Sequence, residues 1–241
     1  AFRGIGLAPR SLDAGSFIRD NGIQGPIFND PDIGSYLIYS LYPDERVFVD
    51  NLFADAYSAE TFKEYVGILE SEEAWRAALI RYQFNVIVFY PYDGGDYVRQ
   101  FLYNRLNDPE WSFVFGDSFA MIFVRNVEEN REIIDHYRIT PENVEFRLSE
   151  LKHAEDFDGK VAYADIANLM GRTDLGMETF RDIIRIWPEN GKMWSVTAQW
   201  ELVRNGPDSA RIAAAYLEKA LALGYDGAET YSFLGLAYAR L

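Results

Sequence analysis

A repeated pattern in the last third of the chain constrains its fold more than any other feature. Apolar residues at matched positions recur after 37 residues: Phe180, Ile183, Ile184 and Pro188 in one block, and Leu217, Ala220, Leu221 and Tyr225 in the next. Each block is followed at the same distance by an aromatic residue, Trp194 or Tyr231. Because the spacing within each block is helical and the blocks recur, the pattern predicts stacked helical units over residues 157–241.

The last of these units, "AETYSFLGLAYARL", resembles the first helix of a tetratricopeptide repeat. The aromatic, Leu, Gly and Tyr positions of that family fall on Tyr231, Leu234, Gly235 and Tyr238. The unit before it matches through Trp194, Ala198, Leu217 and Ala220, and the first unit through Ala164, Gly171, Phe180, Ile183 and Pro188. That first unit has Lys160 where an aromatic residue is usual. The resemblance implies about two and a half repeats, and the alternative is an unrelated helical bundle.

Tetratricopeptide repeats stack their first helices along a concave groove, so the resemblance implies a binding surface. Counting from the matched positions, we expect the groove to include Asp158, Asp165, Asn168, Lys192, Ser195, Gln199, Glu229 and Ser232. A mixed polar surface of this kind suits a protein or an extended peptide. The alternative is a solvated helix face that binds nothing.

The end of the chain has apolar residues without a covering helix. Leu234, Tyr238 and Leu241 would be left bare by the repeat packing, so we expect this face to pack on another helix, on a second copy of the chain, or on residues outside it. The chain begins at Ala1 and ends within a helical pattern. We therefore expect it to be a piece of a longer protein.

The first half of the chain predicts a different fold class. Five short apolar runs predict strands at Pro26–Asn29, Arg46–Asp50, Asn85–Tyr90, Trp111–Phe115 and Phe119–Arg125. Helical patterns alternate with them, and Ser58 and Ser71 stand at helix N-cap positions. A two-residue turn at Gly116-Asp117 predicts a hairpin between the last two strands.

These patterns predict an α/β domain over residues 1–126. Its sheet is expected to be mostly parallel, with about five strands, a C-terminal antiparallel hairpin and helices on both faces. Residues 127–156 are predicted to form connecting helices, with Thr140 as a cap and Pro141 in the first turn. The all-α repeats then occupy residues 157–241.

Within residues 10 to 125, the segments "FNDPDIGSYLIYSLYP", "VFVDN" and "DPEWSFVFGDSFAMIFVRN" carry a second resemblance. They are similar to the soluble C-terminal region of bacterial polytopic membrane proteins related to GT-C, dolichyl-phosphate-mannose-type glycosyltransferases. The resemblance implies an extracytoplasmic domain, periplasmic or on the cell surface, joined to the membrane only through N-terminal spans outside this chain. That family usually has Arg after the Asp-Asn pair, whereas this chain has Leu52.

In this family the catalytic acids belong to loops between membrane helices, which this chain does not include. The resemblance therefore implies a non-catalytic interaction domain. The alternative is an enzyme, a hydrolase or transferase, that uses carboxylates at the carboxyl edge of the sheet. Asp30, Asp50 and Asp93 follow predicted strands there, where open α/β sheets bind ligands. A simpler interpretation of Asp30 is a helix cap before Pro31.

The amino-acid composition of the chain narrows the range of partners that it could bind. A formal charge of −15, from 38 acidic and 23 basic residues, disfavours nucleic acid. The chain has no cysteine and its two histidines, His136 and His153, lack metal-ligand spacing, so we expect neither a metal nor a cofactor. The apolar runs are shorter than the ~20 residues of a membrane span.

Overall fold

The computed structural model describes residues 12–52, 57–90 and 96–241, apart from the side chains of Leu12 and Asp96. The chain divides into two compact units, one ending at Leu148 and the other beginning at Ser149. This division falls inside the segment 127–156 that the sequence predicts as connecting helices. Asp93 lies outside the described residues.

The first unit contains a small mixed sheet. Its described strands are β1 (Ile27–Asn29), β2 (Val86–Phe89), β3 (Trp111–Gly116) and β4 (Met121–Arg125). They lie in the order β1-β2-β4-β3; β1 and β2 are parallel, and the other two pairs are antiparallel. An α/β unit with a C-terminal hairpin is therefore present. The described residues form four strands with one parallel pair, so the predicted five strands are not confirmed and the described sheet is mixed instead of mostly parallel.

Helices cover both faces of this sheet. The helices of this unit are α1 (Leu12–Asp20), α2 (Pro31–Leu41), α3 (Ala59–Glu70), α4 (Glu72–Tyr82), α5 (Asp96–Leu106), α6 (Arg131–Tyr137) and α7 (Val144–Arg147), and the first six pack on the sheet. Val86 and Val88 of β2 pack in one cluster with α1, α2 and α6. The opposite face is aromatic, and Phe28 of β1 contacts Tyr65 of α3, Trp75 of α4 and Phe101 of α5 there.

Phe28 is the centre of the aromatic face. Its fully buried ring lies 5.1 to 5.9 Å from six other rings, those of Phe48, Tyr65, Trp75, Phe84, Phe89 and Phe101. Aromatic pairs at such distances contribute about 0.5–1.5 kcal/mol beyond the area they bury. The ring cluster thus joins three helices to the sheet at one point.

The segment predicted as a strand at Arg46–Asp50 is irregular, although it runs beside β1. The side chain of Asn29 holds it there: Oδ1 accepts a hydrogen bond from the Phe48 N–H at 2.9 Å, and Nδ2 donates to the Val49 carbonyl at 2.7 Å. The strand prediction is wrong because a side-chain amide, rather than a backbone ladder, satisfies these peptide groups.

Gly34 allows this close approach. A Cβ atom added at Gly34 would lie 2.2 Å from the Val49 carbonyl oxygen and 2.8 Å from the Asp50 Cα. No side chain fits in that space, so the first turn of α2 and the segment ending at Asp50 can touch only through a glycine.

Most predicted caps are present, and one is wrong. Ser58 accepts a hydrogen bond from the Thr61 N–H, and Ser71 from the Ala74 N–H, each at 3.3 Å. The helix predicted to begin at Thr140-Pro141 begins instead at Val144. The reason is a turn over residues 140–143, in which Asn143 Oδ1 accepts from the Thr140 N–H at 2.8 Å.

The hairpin between β3 and β4 is also longer than predicted. The strands end and resume at Gly116 and Met121, so residues 117–120 form a four-residue connection instead of a two-residue turn. Asp117 organises it: Oδ1 accepts from the backbone N–H groups of Phe119 at 2.6 Å and Ala120 at 2.7 Å.

The second unit is entirely helical in its regular structure. Its helices are α8 (Ser149–Lys152), α9 (Phe157–Leu169), α10 (Thr173–Ile186), α11 (Gly191–Arg204), α12 (Ser209–Ala222) and α13 (Ala228–Ala239). The start of α9 meets the end of α10, where the rings of Phe157 and Trp187 are 5.4 Å apart, and the start of α11 meets the end of α12, where Gly191 lies against Leu223. Both pairs are therefore antiparallel.

A buried carboxylate joins three of these helices. Glu201 of α11 is fully buried and accepts hydrogen bonds from Arg181 of α10 and, at 3.1 Å, from Arg204 of α11. Ser209, at the start of α12, donates to it at 3.4 Å. A buried charge is tolerated when it is paired and hydrogen-bonded in this way, and removal of one partner is costly.

We predict that Asn29→Ala destabilises the chain by about 2–3 kcal/mol, because the substitution leaves the buried backbone groups of residues 48 and 49 without partners. Urea unfolding followed by circular dichroism measures the loss. Asn107→Ala is the matched control, since its amide makes one exposed bond to the Tyr103 carbonyl, and we expect a change below about 0.5 kcal/mol. Equal effects of the two substitutions would contradict the role given to Asn29.

Candidate functional site

Asp30 lies at the carboxyl end of β1 and has two structural roles. Oδ1 accepts a hydrogen bond from the Ile33 N–H at 2.9 Å, as the N-cap of α2, with Pro31 in the first position of the helix. Oδ2 accepts from the Tyr90 N–H, at the end of β2. The predicted cap is confirmed, and the same carboxyl also ties α2 to the neighbouring strand.

The environment of Asp30 changes its acidity. Only 5% of the residue is exposed, and this burial raises the pKa of the carboxyl to about 6, against the lowering effect of the hydrogen bonds from Tyr90 and Ile33. Burial also raises the pKa of Tyr65, and the nearby Asp30 charge adds to that shift. A carboxyl of this kind titrates near neutral pH, but both its oxygens are held by backbone donors.

The backbone of Asp50 runs close to Asp30, but the two carboxyls have different hydrogen-bond partners. Its Oδ1 accepts from the Leu52 N–H at 2.9 Å. Burial and then the Asp50 charge raise the pKa of Tyr57, whose hydroxyl also interacts with that carboxyl. Thus the structure brings two of the three predicted carboxylates to one edge of the sheet and engages each separately, while Asp93 is not among the described residues.

Asp117 belongs to the same edge, and sequence reasoning missed it. It stands just before β4, whose first residue Met121 pairs with Phe89 at the end of β2. Burial raises its pKa to about 6, and Asp13 of α1 adds to the shift. Its Oδ2 is shielded from solvent and has no hydrogen-bond partner among the described residues. The Asp117 carboxyl is enclosed only by tertiary packing. The sequence therefore placed this residue in a turn and gave no sign of its burial.

The carboxyls at this edge of the sheet hold backbone segments in place. The Tyr90 and Phe119 rings stack across it, 6.2 Å apart, between the segments that Asp30 and Asp117 hold. Among the described residues, no group of three or more His, Asp or Glu side chains is arranged to hold a metal ion. Asp30, Asp50 and Asp117 each accept hydrogen bonds from backbone N–H groups.

Open grooves in the first unit lie elsewhere. One of about 340 Å³ is lined by Asn126, Val127, Glu128, Arg131, Ile134, Asp135 and Arg138, around α6. It contains none of the predicted carboxylates. Its lining carries charges of both signs, and Arg131 already pairs with Glu128 at 3.0 Å.

The predicted groove residues of the second unit separate into two groups. Asp165, Asn168 and Ser195 are buried within the unit, and Gln199 is half-buried. Asp158, Lys192, Glu229 and Ser232 are exposed. The structure therefore places only some of these side chains where a ligand can reach them.

Two neighbouring helices bring the exposed residues together. Ser195 of α11 and Thr230 of α13 lie within hydrogen-bond distance at 3.4 Å, and Arg240 donates to the Leu202 carbonyl at 2.8 Å. The first contact joins the starts of the two helices and the second joins their ends. Helices α11 and α13 are therefore parallel neighbours. Lys192 and Glu229, at their first turns, consequently lie at the same end.

We define the α11–α13 surface as one stripe of exposed and half-buried residues along each of these two helices. On α11 they are Lys192, Val196, Gln199 and Val203, which recur at helical spacing, and on α13 they are Glu229, Phe233, Leu236 and Arg240. Val203 is 67% exposed and Leu236 is 39% exposed. Sequence reasoning missed the apolar members, although the i, i+4, i+7, i+11 spacing that continues from Lys192 to Val203 identifies them.

Comparisons with protein-family models, curated proteins and solved structures gave no match to this chain. Among the described residues, none of the helices combines the length and the apolar composition needed to cross a membrane.

We predict that the stability difference between the wild-type chain and Asp30→Asn depends on pH. Since the pKa of Asp30 is raised to about 6 in the folded chain, against about 3.9 when unfolded, folding is favoured most below the unfolded value. The advantage of the wild type should fall as pH rises from about 4 through about 6, by an amount on the order of 2 kcal/mol.

Urea unfolding of both proteins between pH 4 and pH 8 measures this difference, in which the other titrating groups cancel. Asp44→Asn, at an exposed position, is the matched control. A wild-type advantage that stays constant with pH, or that grows as pH rises, would contradict the assignment.

Proposed function

We propose that this chain is a non-catalytic interaction module whose second unit binds a protein or peptide segment along the α11–α13 surface. The observation that carries the proposal is the exposed apolar stripe of α11 and α13, with Val203 and Leu236 bordered by charged residues. Exposed apolar groups rimmed by polar ones are typical of interaction surfaces.

The chemistry of the surface favours one kind of ligand. Lys192 and Glu229 place opposite charges at one end, and Arg240 adds a positive charge at the other. Leu236 and the half-buried Phe233 offer apolar contacts between the two ends, and Val203 adds an apolar contact beside Arg240. An extended or helical segment with an apolar side chain between charged residues would complement this pattern, because charge pairs at the rim set orientation while apolar contacts supply affinity.

The sequence resemblances extend the proposal. Helices of the second unit begin at residues 157, 191 and 228, and their antiparallel partners at residues 173 and 209, which supports tetratricopeptide-like repeats. The similarity of the first unit to soluble regions of GT-C-related proteins supports a role as the extracytoplasmic part of a membrane-embedded, glycosyltransferase-like protein. In that protein the first unit would be a platform and the repeats would recruit a partner.

We predict that peptides selected on the whole chain from a phage-displayed random library bind the α11–α13 surface. Val203→Asp should weaken their binding by on the order of tenfold or more, because it places an unpaired charge at the apolar contact. Lys192→Glu should weaken peptides with an acidic residue near that end. Fluorescence anisotropy with labelled peptides measures both effects.

The control is Ile80→Asp, which changes an equally exposed aliphatic residue on α4. Selected peptides should bind this variant as they bind the wild type. Selection that yields no specific peptide, or peptides insensitive to Val203→Asp, would refute the proposed surface.

A further inference from the structure

The chain contains three identical Asn-Gly dipeptides, and the structure holds them differently. They are Asn21-Gly22 after α1, Asn190-Gly191 at the start of α11, and Asn205-Gly206 after the end of α11. An asparagine followed by glycine is open to spontaneous loss of its side-chain amide, because glycine has no Cβ to shield its nitrogen and adopts most backbone conformations. The dipeptide is the same in all three places, so a large difference in reactivity has to come from the fold.

The reaction joins the backbone nitrogen of the glycine to Cγ of the asparagine. A new N–Cγ bond forms, the Cγ–Nδ2 bond breaks, and the departing amide takes up the proton of the glycine nitrogen and leaves as ammonia. Water then adds to either carbonyl carbon of the succinimide ring and opens it to aspartate or isoaspartate. The reaction therefore needs a carboxamide that is free, a glycine nitrogen that can leave its hydrogen bond, and a backbone that can rotate about ψ of the asparagine.

Asn21-Gly22 is held at both reacting groups. Asn21 Nδ2 donates a hydrogen bond to the Phe17 carbonyl at 2.8 Å, which directs the carboxamide back along α1. The Gly22 N–H donates to the Arg19 carbonyl at 3.1 Å, and the Asn21 N–H donates to the Phe17 carbonyl at 3.2 Å. Ring closure would break these bonds, so the fold protects Asn21.

Asn190 is held as the N-cap of α11. Its Oδ1 accepts a hydrogen bond from the Met193 N–H at 3.2 Å, and its backbone carbonyl accepts from the same N–H at 3.1 Å. Gly191 is closely packed, since an added Cβ would lie 2.9 Å from the Tyr225 Cβ and 3.3 Å from the Ala220 carbonyl oxygen. Rotation about ψ of Asn190 would undo the cap and this contact, so the fold protects Asn190 as well.

Asn205-Gly206 lacks these restraints. Asn205 is exposed, and its carboxamide makes no hydrogen bond to any other described residue. Its backbone is left-handed, with φ of 51°, a conformation that is unfavourable for a residue with a Cβ and that rotation would relieve. The Gly206 N–H donates to the Ser209 hydroxyl oxygen at 2.9 Å, and a hydroxyl can turn away without disturbing the backbone.

We propose that Asn205 is a site of spontaneous deamidation in the folded chain, while hydrogen bonds and packing protect Asn21 and Asn190. The reaction consumes only water and the Asn205 amide, and it leaves an aspartate or isoaspartate carboxylate just after the last turn of α11. The proposed site does not depend on the peptide function of the second unit.

The new charge would lie at one end of the α11–α13 surface. Val203 is two residues before Asn205, and Arg240 donates to the carbonyl of Leu202 at the same end of α11. A carboxylate there disfavours a ligand with an acidic residue near Arg240, and it adds to the negative end of the helix dipole. This effect on binding rests on the proposed function.

Ageing of the whole chain at mildly alkaline pH, followed by trypsin digestion and mass spectrometry, tests the site. Trypsin cleaves after Lys and Arg, so the three dipeptides fall in separate peptides, residues 20–46, 186–192 and 205–211. Deamidation raises the mass of a peptide, and chromatography separates its aspartate and isoaspartate forms. We expect Asn205 to convert on the order of tenfold faster, or more, than Asn21 or Asn190.

The same chain unfolded in guanidinium chloride is the control. There the three residues should convert at similar rates, because the hydrogen bonds and contacts that distinguish them are gone. Conversion of Asn21 or Asn190 as fast as that of Asn205 in the folded chain, or a folded chain in which Asn205 does not convert, would overturn the proposal.

Two substitutions test the local chemistry. Gly206→Ala should slow the conversion of Asn205 on the order of tenfold or more, because the added Cβ shields the attacking nitrogen. Ser209→Ala should speed the conversion of Asn205 relative to that of Asn190 in the same protein, because it frees the Gly206 N–H. A Gly206→Ala chain that converts as fast as the wild type would contradict attack by this nitrogen.

Fluorescence anisotropy with Asn205→Asp tests the effect on binding separately. Peptides with an acidic residue near the Arg240 end should bind this variant a few-fold more weakly than the wild type, whereas peptides without one should bind both alike. A chain that deamidates at Asn205 but whose Asn205→Asp variant binds every peptide as the wild type does would confirm the modification site and refute its effect on the α11–α13 surface.

Discussion

The amide of Asn29 fixes the arrangement on which the first unit depends. It holds residues 48 and 49 beside β1, and its Nδ2 also donates to the Asp30 carbonyl at 2.7 Å. Asp30 in turn caps α2 and binds the Tyr90 N–H. The end of β1 therefore positions residues 48 and 49, helix α2 and the end of β2. Buried peptide groups must find partners, and here two adjacent side chains supply them.

Packing then follows from this polar framework. Once residues 48 and 49 are held in place, the Phe48 ring contacts Phe28, the centre of the aromatic cluster, at 5.5 Å. The close contact at Gly34 keeps α2 against the same segment. The raised pKa of Asp30 is a consequence of this enclosure, since the carboxyl that organises the edge is also removed from water. Its acidity is thus a property of a structural residue.

In the second unit, Glu201 has a comparable role. Arg181, Arg204 and Ser209 surround its carboxylate and connect α10, α11 and α12. This fixes the rotation of α11, which in turn directs Val203 outward and Ala198 inward. The side of α11 that is available to a ligand is therefore selected by a buried ion pair on its other side.

Local signals in the sequence predicted much of the fold. Asp30, Ser58 and Ser71 are caps because their side chains reach N–H groups three residues away, which depends on nearby sequence alone. The prediction of a strand at residues 46–50 was wrong, because an apolar run in the sequence does not show that a side-chain amide will replace the backbone hydrogen bonds of a sheet. The groove residues Asp165, Asn168 and Ser195 are buried because neighbouring helices cover them, and a count of repeat positions contains no information about that coverage.

Most of the helices, the remaining strands and the spacing of the helices in the second unit follow from the sequence alone, since periodicity, caps and turn residues act within a few residues of one another. Which polar groups are enclosed and which apolar groups stay in water depends on the packed fold. Burial of Asp30 and Asp117 and exposure of Val203 depend on contacts between residues far apart in the chain, and those contacts exist only once the elements have packed.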